Sequence, residues 1–136
     1  MKKNILLVAI LLVSSQFLFA QKDYKVVFDL TSKDSLDQRS LLRWVGEVAN
    51  LGSDAQIEVV MYGQGVHLIK NSSQYADKIS QLLQNKNVSF KACAVALKAQ
   101  GIDKNELISG VQVVPDGIYE IISKQHEGWG YIKAVH

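Results

Sequence analysis

Cys93 is the only cysteine in the chain, and it stands where two sequence patterns meet. Ahead of it, Val88-Ser89-Phe90-Lys91-Ala92 alternates apolar and polar residues, the period of a strand. Behind it, residues 94–100 are rich in good helix formers, and Gly101 is the usual residue just past a helix end. The spacing therefore predicts a thiol at a helix N-terminus. Unpaired amide N–H groups and the positive end of the helix dipole favour a thiolate in such a place. The competing reading is a cysteine that fills core, since free cysteine is among the most buried residue types.

Other chemistry is scarcer. His67 follows the second strand-to-helix turn and is the candidate partner that would take or stabilise the Cys93 proton; otherwise it is a solvent-facing loop histidine. Gly63 and Gly65 sit in the same turn, Gly63-Gln64-Gly65. That turn lacks the third glycine of a dinucleotide fingerprint and follows the second strand, not the first. Asp29, near the end of the first strand, is a candidate hydrogen-bond acceptor at the same edge or a strand-end cap. No G-x-S-x-G elbow is present. The three histidines, His67, His126 and His136, have no metal-ligand spacing, and the carboxylates form no cluster in sequence, so no metal site and no cofactor is expected. Trp129 and Tyr131 read as core or subunit-contact aromatics.

The elements that must position these residues alternate to the end of the chain, with no repeat or linker. Strands are predicted over 24–30, 56–62, 88–92, 110–114 and 131–134. Between them, Ser35 and Gln38 have capping-box spacing ahead of a helix carrying Leu41, Val45 and Val48. Ser72-Ser73 precedes a stripe of Tyr75, Ile79 and Leu82, and Asp103 with Glu106 marks a single helical turn. Pro115-Asp116-Gly117 opens a last helix marked by Ile118, Ile121 and Ile122 and stopped by Gly128. The order βαβαβαβαβ implies an α/β fold: a mostly parallel five-stranded sheet with helices on both faces. Right-handed crossovers would gather Asp29, Gly63 to His67, Cys93 and Pro115 to Gly117 at the carboxyl ends of the strands, where ligands bind in such sheets. Ser89 and Lys91 are polar on one face of the third strand, which favours an edge position for it over a subunit contact.

Met1-Lys2-Lys3 followed by the apolar run 5–13 has the layout of a secretory signal peptide. Cleavage is expected after Ala20, although Leu18 is bulky for the minus-three position. The apolar stretch is broken by Ser14-Ser15-Gln16, which argues against a retained span. Residues 21–136 then form one domain. Of the 15 basic residues, Lys2 and Lys3 fall in the leader, which leaves the rest balanced against 13 acidic ones. Nothing in that balance points to nucleic acid or an anionic membrane surface. One cysteine in an exported chain excludes an internal disulfide, so any sulfur exchange involves a second molecule.

Several stretches resemble the DsrE/DsrF-like (DsrEFH-like) family of small sulfur-relay proteins: VVFDL at 26–30, EVVMYGQGVHLI at 58–69, VSFKACAVALKAQGI at 88–102 and GVQVVPDGIYEIISKQHEGWGYIKA at 110–134. The nearest likeness is to the exported branch with a signal peptide. The resemblance implies a single three-layer α/β/α domain that assembles into homotrimers or homohexamers. It also implies a persulfide on the cysteine after the third strand, the position of Cys93, supplied by a sulfur donor and passed to an acceptor thiol. Export, with the periplasm favoured over full secretion, departs from the cytoplasmic relays of the family, because an oxidising compartment endangers a persulfide. Two readings follow: a sulfur carrier working through Cys93, with His67, Gly63, Gly65 and Asp29 shaping the pocket, or a non-catalytic oligomeric module that binds a small ligand and keeps Cys93 as a structural residue.

Overall fold

The structure, a computed structural model, describes residues 24–52 and 54–136. The leader expected over 1–20 lies outside them. The elements are β1 (Lys25–Leu30), α1 (Ser35–Ala49), β2 (Gln56–Met61), a 3-10 helix (Gly63–Ile69), α2 (Ala76–Leu82), β3 (Val88–Cys93), α3 (Ala94–Ala99), a 3-10 turn (Lys104–Glu106), β4 (Gln112–Val114), α4 (Gly117–His126) and β5 (Gly130–Lys133). All five strands pair in parallel, in the order β4-β3-β2-β1-β5.

That order decides which face each helix covers. The three crossovers from β1 to β4 step in one direction, so crossovers of one hand put α1, α2 and α3 on the same face. The return from β4 to β5 steps back past β1, which sends α4 to the opposite face. The main apolar cluster lies under the first three helices, with Phe28, Leu30, Val59, Met61 and Phe90 from the sheet against Leu41, Val45 and Ile79. The other face holds a much smaller cluster of Val27, Val60 and Ile121. Among the described residues, one helix of ten residues covers that second face.

The central strands β1 and β2 are buried along their length except at the first residue. Strands covered on both faces normally read as unbroken apolar runs. Asp29 and Glu58 interrupt these two, and strand alternation puts both acids on the α4 face.

The third strand is not at an edge: β3 lies between β2 and β4. Ser89 and Lys91 are polar because the α4 face is itself polar there, and Lys91 Nζ lies 3.9 Å from Glu58 Oε2. Three local expectations also change. Helix α1 is capped by Asp34, whose Oδ1 accepts from the Leu36 amide at 2.7 Å, while Ser35 is already helical. The turn at Gly63 to His67 is the start of a seven-residue 3-10 helix. Ser73 does not cap α2 directly; its Oγ accepts from the Tyr75 amide at 3.2 Å and so organises the preceding turn. The capping box of Asp103 and Glu106 and the Asp116 cap form as the sequence predicts.

Candidate functional site

Cys93 is the last residue of β3 and the N-cap of α3, in extended conformation. Its Cβ lies on the α4 face. A Cβ built on Gly117, the first residue of α4, would sit 3.2 Å from Cys93 Cβ, 3.2 Å from Val60 Cγ1 and 3.3 Å from Tyr62 Cβ. Gly117 thus lets the start of α4 rest directly on the cysteine. Asp116 caps that helix by accepting from the Ile118 and Tyr119 amides at 2.8 and 3.3 Å. Two helix starts therefore meet at Cys93, whose side chain makes no capping hydrogen bond to α3. Cys93 is only 5% exposed.

The structure divides the other predicted residues. Asp29 shares the α4 face with Cys93, and Tyr62 links the two: its Cβ approaches Gly117 as above, and its hydroxyl donates to Asp29 Oδ2 at 3.1 Å. Gly65 serves packing. A Cβ there would lie 2.1 Å from the Leu30 carbonyl oxygen, so only glycine lets the 3-10 helix close over the end of β1. Gly63 has φ +54°, the left-handed conformation glycine tolerates, next to Thr31. His67 pairs through Nε2 with Gln100 Oε1 at 3.0 Å. Gln100 is the C-cap of α3, at the far end of that helix from Cys93. The ring's recorded partner is thus at the helix end, not the thiol.

Two clusters lie on the α4 face, one around the expected acceptor Asp29 and one, around Glu58, that the sequence did not single out. Around Asp29, Tyr131 donates to Oδ2 at 2.6 Å, Tyr62 joins it, and Lys133 Nζ stands 3.6 Å away. Burial and the neighbouring Asp29 charge push the Tyr62 phenol up to about 12, and the same two causes raise Tyr131. Both therefore stay protonated and donate. Around Glu58, which is 3% exposed, the Lys91 and Lys124 ammonium groups each stand 3.9 Å from Oε2. Burial, helped by a hydrogen bond with Glu120, raises Glu58 to about 7 against the pull of the two lysines. Oε1 of Glu58 is itself buried without a hydrogen-bond partner among the described residues. Lys91 also donates to Gln112, and Lys124 lies 4.9 Å over the Trp129 ring.

A third grouping links the last residue to α1. His136 Nδ1 and its backbone amide both reach Asp37 Oδ1 at 2.8 Å. With Asp34 their ligand atoms fall within 4.8 Å of one another, spacing that would suit a metal ion although no sequence motif shows it. The pair already satisfies itself: the hydrogen bond lowers Asp37 and raises His136.

Comparison with known proteins adds lineage. The model of the DsrE/DsrF-like family matches residues 25–134. Among solved structures, the chain is similar to the protein of unknown function MTH1491 from Methanobacterium thermoautotrophicum, at 38% identity and a TM-score of 0.70, over 82% of this chain and 99% of that one. The ychN protein from E. coli, at 16% identity and TM-score 0.69, is covered over 98% of its length by 81% of this chain. The conserved protein of unknown function BT1422 from Bacteroides thetaiotaomicron, at 20% identity and TM-score 0.65, is covered over 93% by 80% of this chain. These last two likenesses concern the fold alone. No curated protein matches the chain.

Proposed function

The chain belongs to the DsrE/DsrF-like family, a membership that suggests a role of the sulfur-relay type, and from that premise we propose that it carries sulfane sulfur on Cys93. The Cys93 thiolate attacks the terminal sulfur of a donor persulfide. The donor S–S bond breaks, the donor leaves as a thiolate, and Cys93 keeps the sulfur as a persulfide. An acceptor thiolate then attacks that outer sulfur and returns Cys93 to a thiolate. The chain neither gains nor loses electrons over the cycle. The observation that carries the reading is the placement of Cys93 as the cap of α3 directly beneath the start of α4. With the sulfur so covered, transfer requires the first turn of α4 to move off it.

The setting we propose is the cell exterior of a leader-bearing chain, with the periplasm as its compartment and the leader at residues 1–20. Self-association into trimers or hexamers is part of the same proposal. It is supported by Ile118, Tyr119, Ile122, Tyr131 and Ile132, large apolar side chains left exposed on α4 and β5.

The burial of Cys93 also favours a second reading, in which the cysteine is structural and the protein binds a small ligand. Intact mass after anaerobic incubation with an inorganic polysulfide separates the two. The carrier gains one sulfur atom, reversibly by thiol, and Cys93→Ser does not. A wild-type protein that gains nothing, with a thiol alkylated only on unfolding, leaves the binding module standing.

A further inference from the structure

Helix α3 ends on Gly101, whose φ of +64° turns the chain back along the helix it has just left. The Gly101 amide donates to the Lys98 carbonyl at 3.2 Å and the Ile102 amide to the Leu97 carbonyl at 3.0 Å, which fixes the turn. The chain then enters the 3-10 turn at Lys104–Glu106 through the Asp103 capping box. Between α3 and that returning segment lies a cavity of about 470 Å³, a size within the range of small-molecule sites. Ala94, Leu97 and Lys98 line it from one face of α3, at i, i+3, i+4 spacing, and Ile102, Asp103, Lys104 and Asn105 line it from the returning segment. Leu97 and Ile102 are buried and form an apolar floor, whereas Lys98, Lys104 and Asn105 stand exposed at the rim.

The charges at that rim are unequal. Among the described residues, neither the Lys98 nor the Lys104 ammonium has an ion-pair partner. The acids nearest in sequence are engaged elsewhere. Asp103 Oδ1 accepts from the Asn105 amide at 2.8 Å. Glu106 accepts from the Asp103 amide through Oε1 at 3.0 Å and meets Lys70 through Oε2 at 3.1 Å. Two unpaired cations and one occupied carboxylate thus ring a hydrocarbon floor. The cavity belongs to α3 and the segment before β4, apart from the exposed face of α4 and β5. Ala94 follows directly on the carboxyl end of β3, the end at which parallel sheets bind ligands.

We infer that this cavity binds a small organic anion: a carboxylate on a short apolar chain. The carboxylate accepts from Lys98 and Lys104, with the Asn105 side-chain amide as a further donor, and the chain lies against Leu97 and Ile102. The floor is what separates this site from an ordinary pair of surface lysines, which salt screens and which holds an anion weakly. The Cys93 sulfur takes no part, so binding here stands or falls apart from sulfur transfer.

The test is titration of the purified protein with sodium hexanoate against matched sodium chloride, read by leucine and isoleucine methyl NMR shifts and calorimetry. Hexan-1-ol and hexylammonium chloride serve as controls. The expected result is saturable one-to-one binding of hexanoate, with Leu97 and Ile102 methyls shifting, hexylammonium inert and hexan-1-ol much weaker. Affinity falls several-fold in Lys98→Gln and in Lys104→Gln, and roughly tenfold or more in the double variant. Both side chains are exposed, so the fold survives their exchange. Asp103→Asn keeps a capping oxygen but removes the negative charge from the rim, and binds several-fold more tightly. Cys93→Ser binds as wild type. Absence of saturable shifts at Leu97 and Ile102 in both wild type and Asp103→Asn overturns the inference. So does hexan-1-ol or hexylammonium binding as tightly as hexanoate, or wild-type affinity in the double lysine variant.

Discussion

Glu58→Gln should change how stability depends on pH, and in a direction opposite to the ordinary one for a carboxylate. An acid raised in the folded state binds its proton more tightly there than when unfolded. Its contribution is complete below the unfolded value of 4.5 and is lost as pH rises through the folded value of about 7. At 1.36 kcal/mol per unit, wild type loses up to about 3 kcal/mol across that window through this one group. For a domain of this size that is roughly 10 °C in Tm. Glutamine matches the protonated side chain in size and cannot ionise. The two proteins should melt together near pH 4.5 and part steadily above it, with Glu58→Gln the more stable by up to about 3 kcal/mol at pH 8. His136 also loses its stabilising pairing with Asp37 as pH rises through its raised value, so the wild-type slope alone is ambiguous. That contribution is common to both proteins and cancels in the difference. Thermal melts at half-unit steps from pH 4 to 8.5 give the difference curve. A curve flat to about 0.5 kcal/mol, or one in which the variant is the less stable at pH 8, refutes the account of Glu58.

Other perturbations have expected outcomes that ordinary melts check. Gly65→Ala must displace the Leu30 carbonyl, and should cost more than about 3 kcal/mol or prevent folding. Gly46→Ala, in the interior of α1 with open space around it, should instead stabilise by about 0.4–1 kcal/mol; equal effects at the two glycines would contradict the packing described. Asp116→Ala removes the α4 cap and should cost about 1 kcal/mol, and amide exchange in the first turn of α4 should quicken with it. N-terminal sequencing of the protein recovered from its native compartment should begin at Gln21; an intact Met1 contradicts the leader.

The parallel sheet was legible because strand and helix periods alternate cleanly from Tyr24 onward, and Cys93 at a helix cap was legible because Ala92 and Ala94 belong to different periods. What alternation alone could not give was strand order. Without it β3 reads as an edge strand from Ser89 and Lys91, when those residues are polar because Glu58 sits beside them. His67 was drawn toward Cys93 by the same coarse topology, whereas the 3-10 helix carries it along α3 to Gln100. The Asp29 and Glu58 clusters did leave a signal: one acid inside each of the apolar runs VVFDL and IEVVM. An acid in a strand buried on both faces must find partners on neighbouring elements. Tyr62, Tyr131 and Lys124 are those partners, and sequence distances of 33, 102 and 66 residues hid them.

Helix α4 brings together groups that are far apart in the sequence. Gly117 and Ile121 of α4 rest on Cys93 and Val60, while Glu120 and Lys124 of the same helix hold Glu58. Lifting that one cylinder would wet the thiol and hydrate the acid in a single event. A change of charge at Glu58 therefore bears on the same helix that covers Cys93. Because wild type alone can ionise at this position, Glu58→Gln should alter the rate of Cys93 alkylation most above neutral pH.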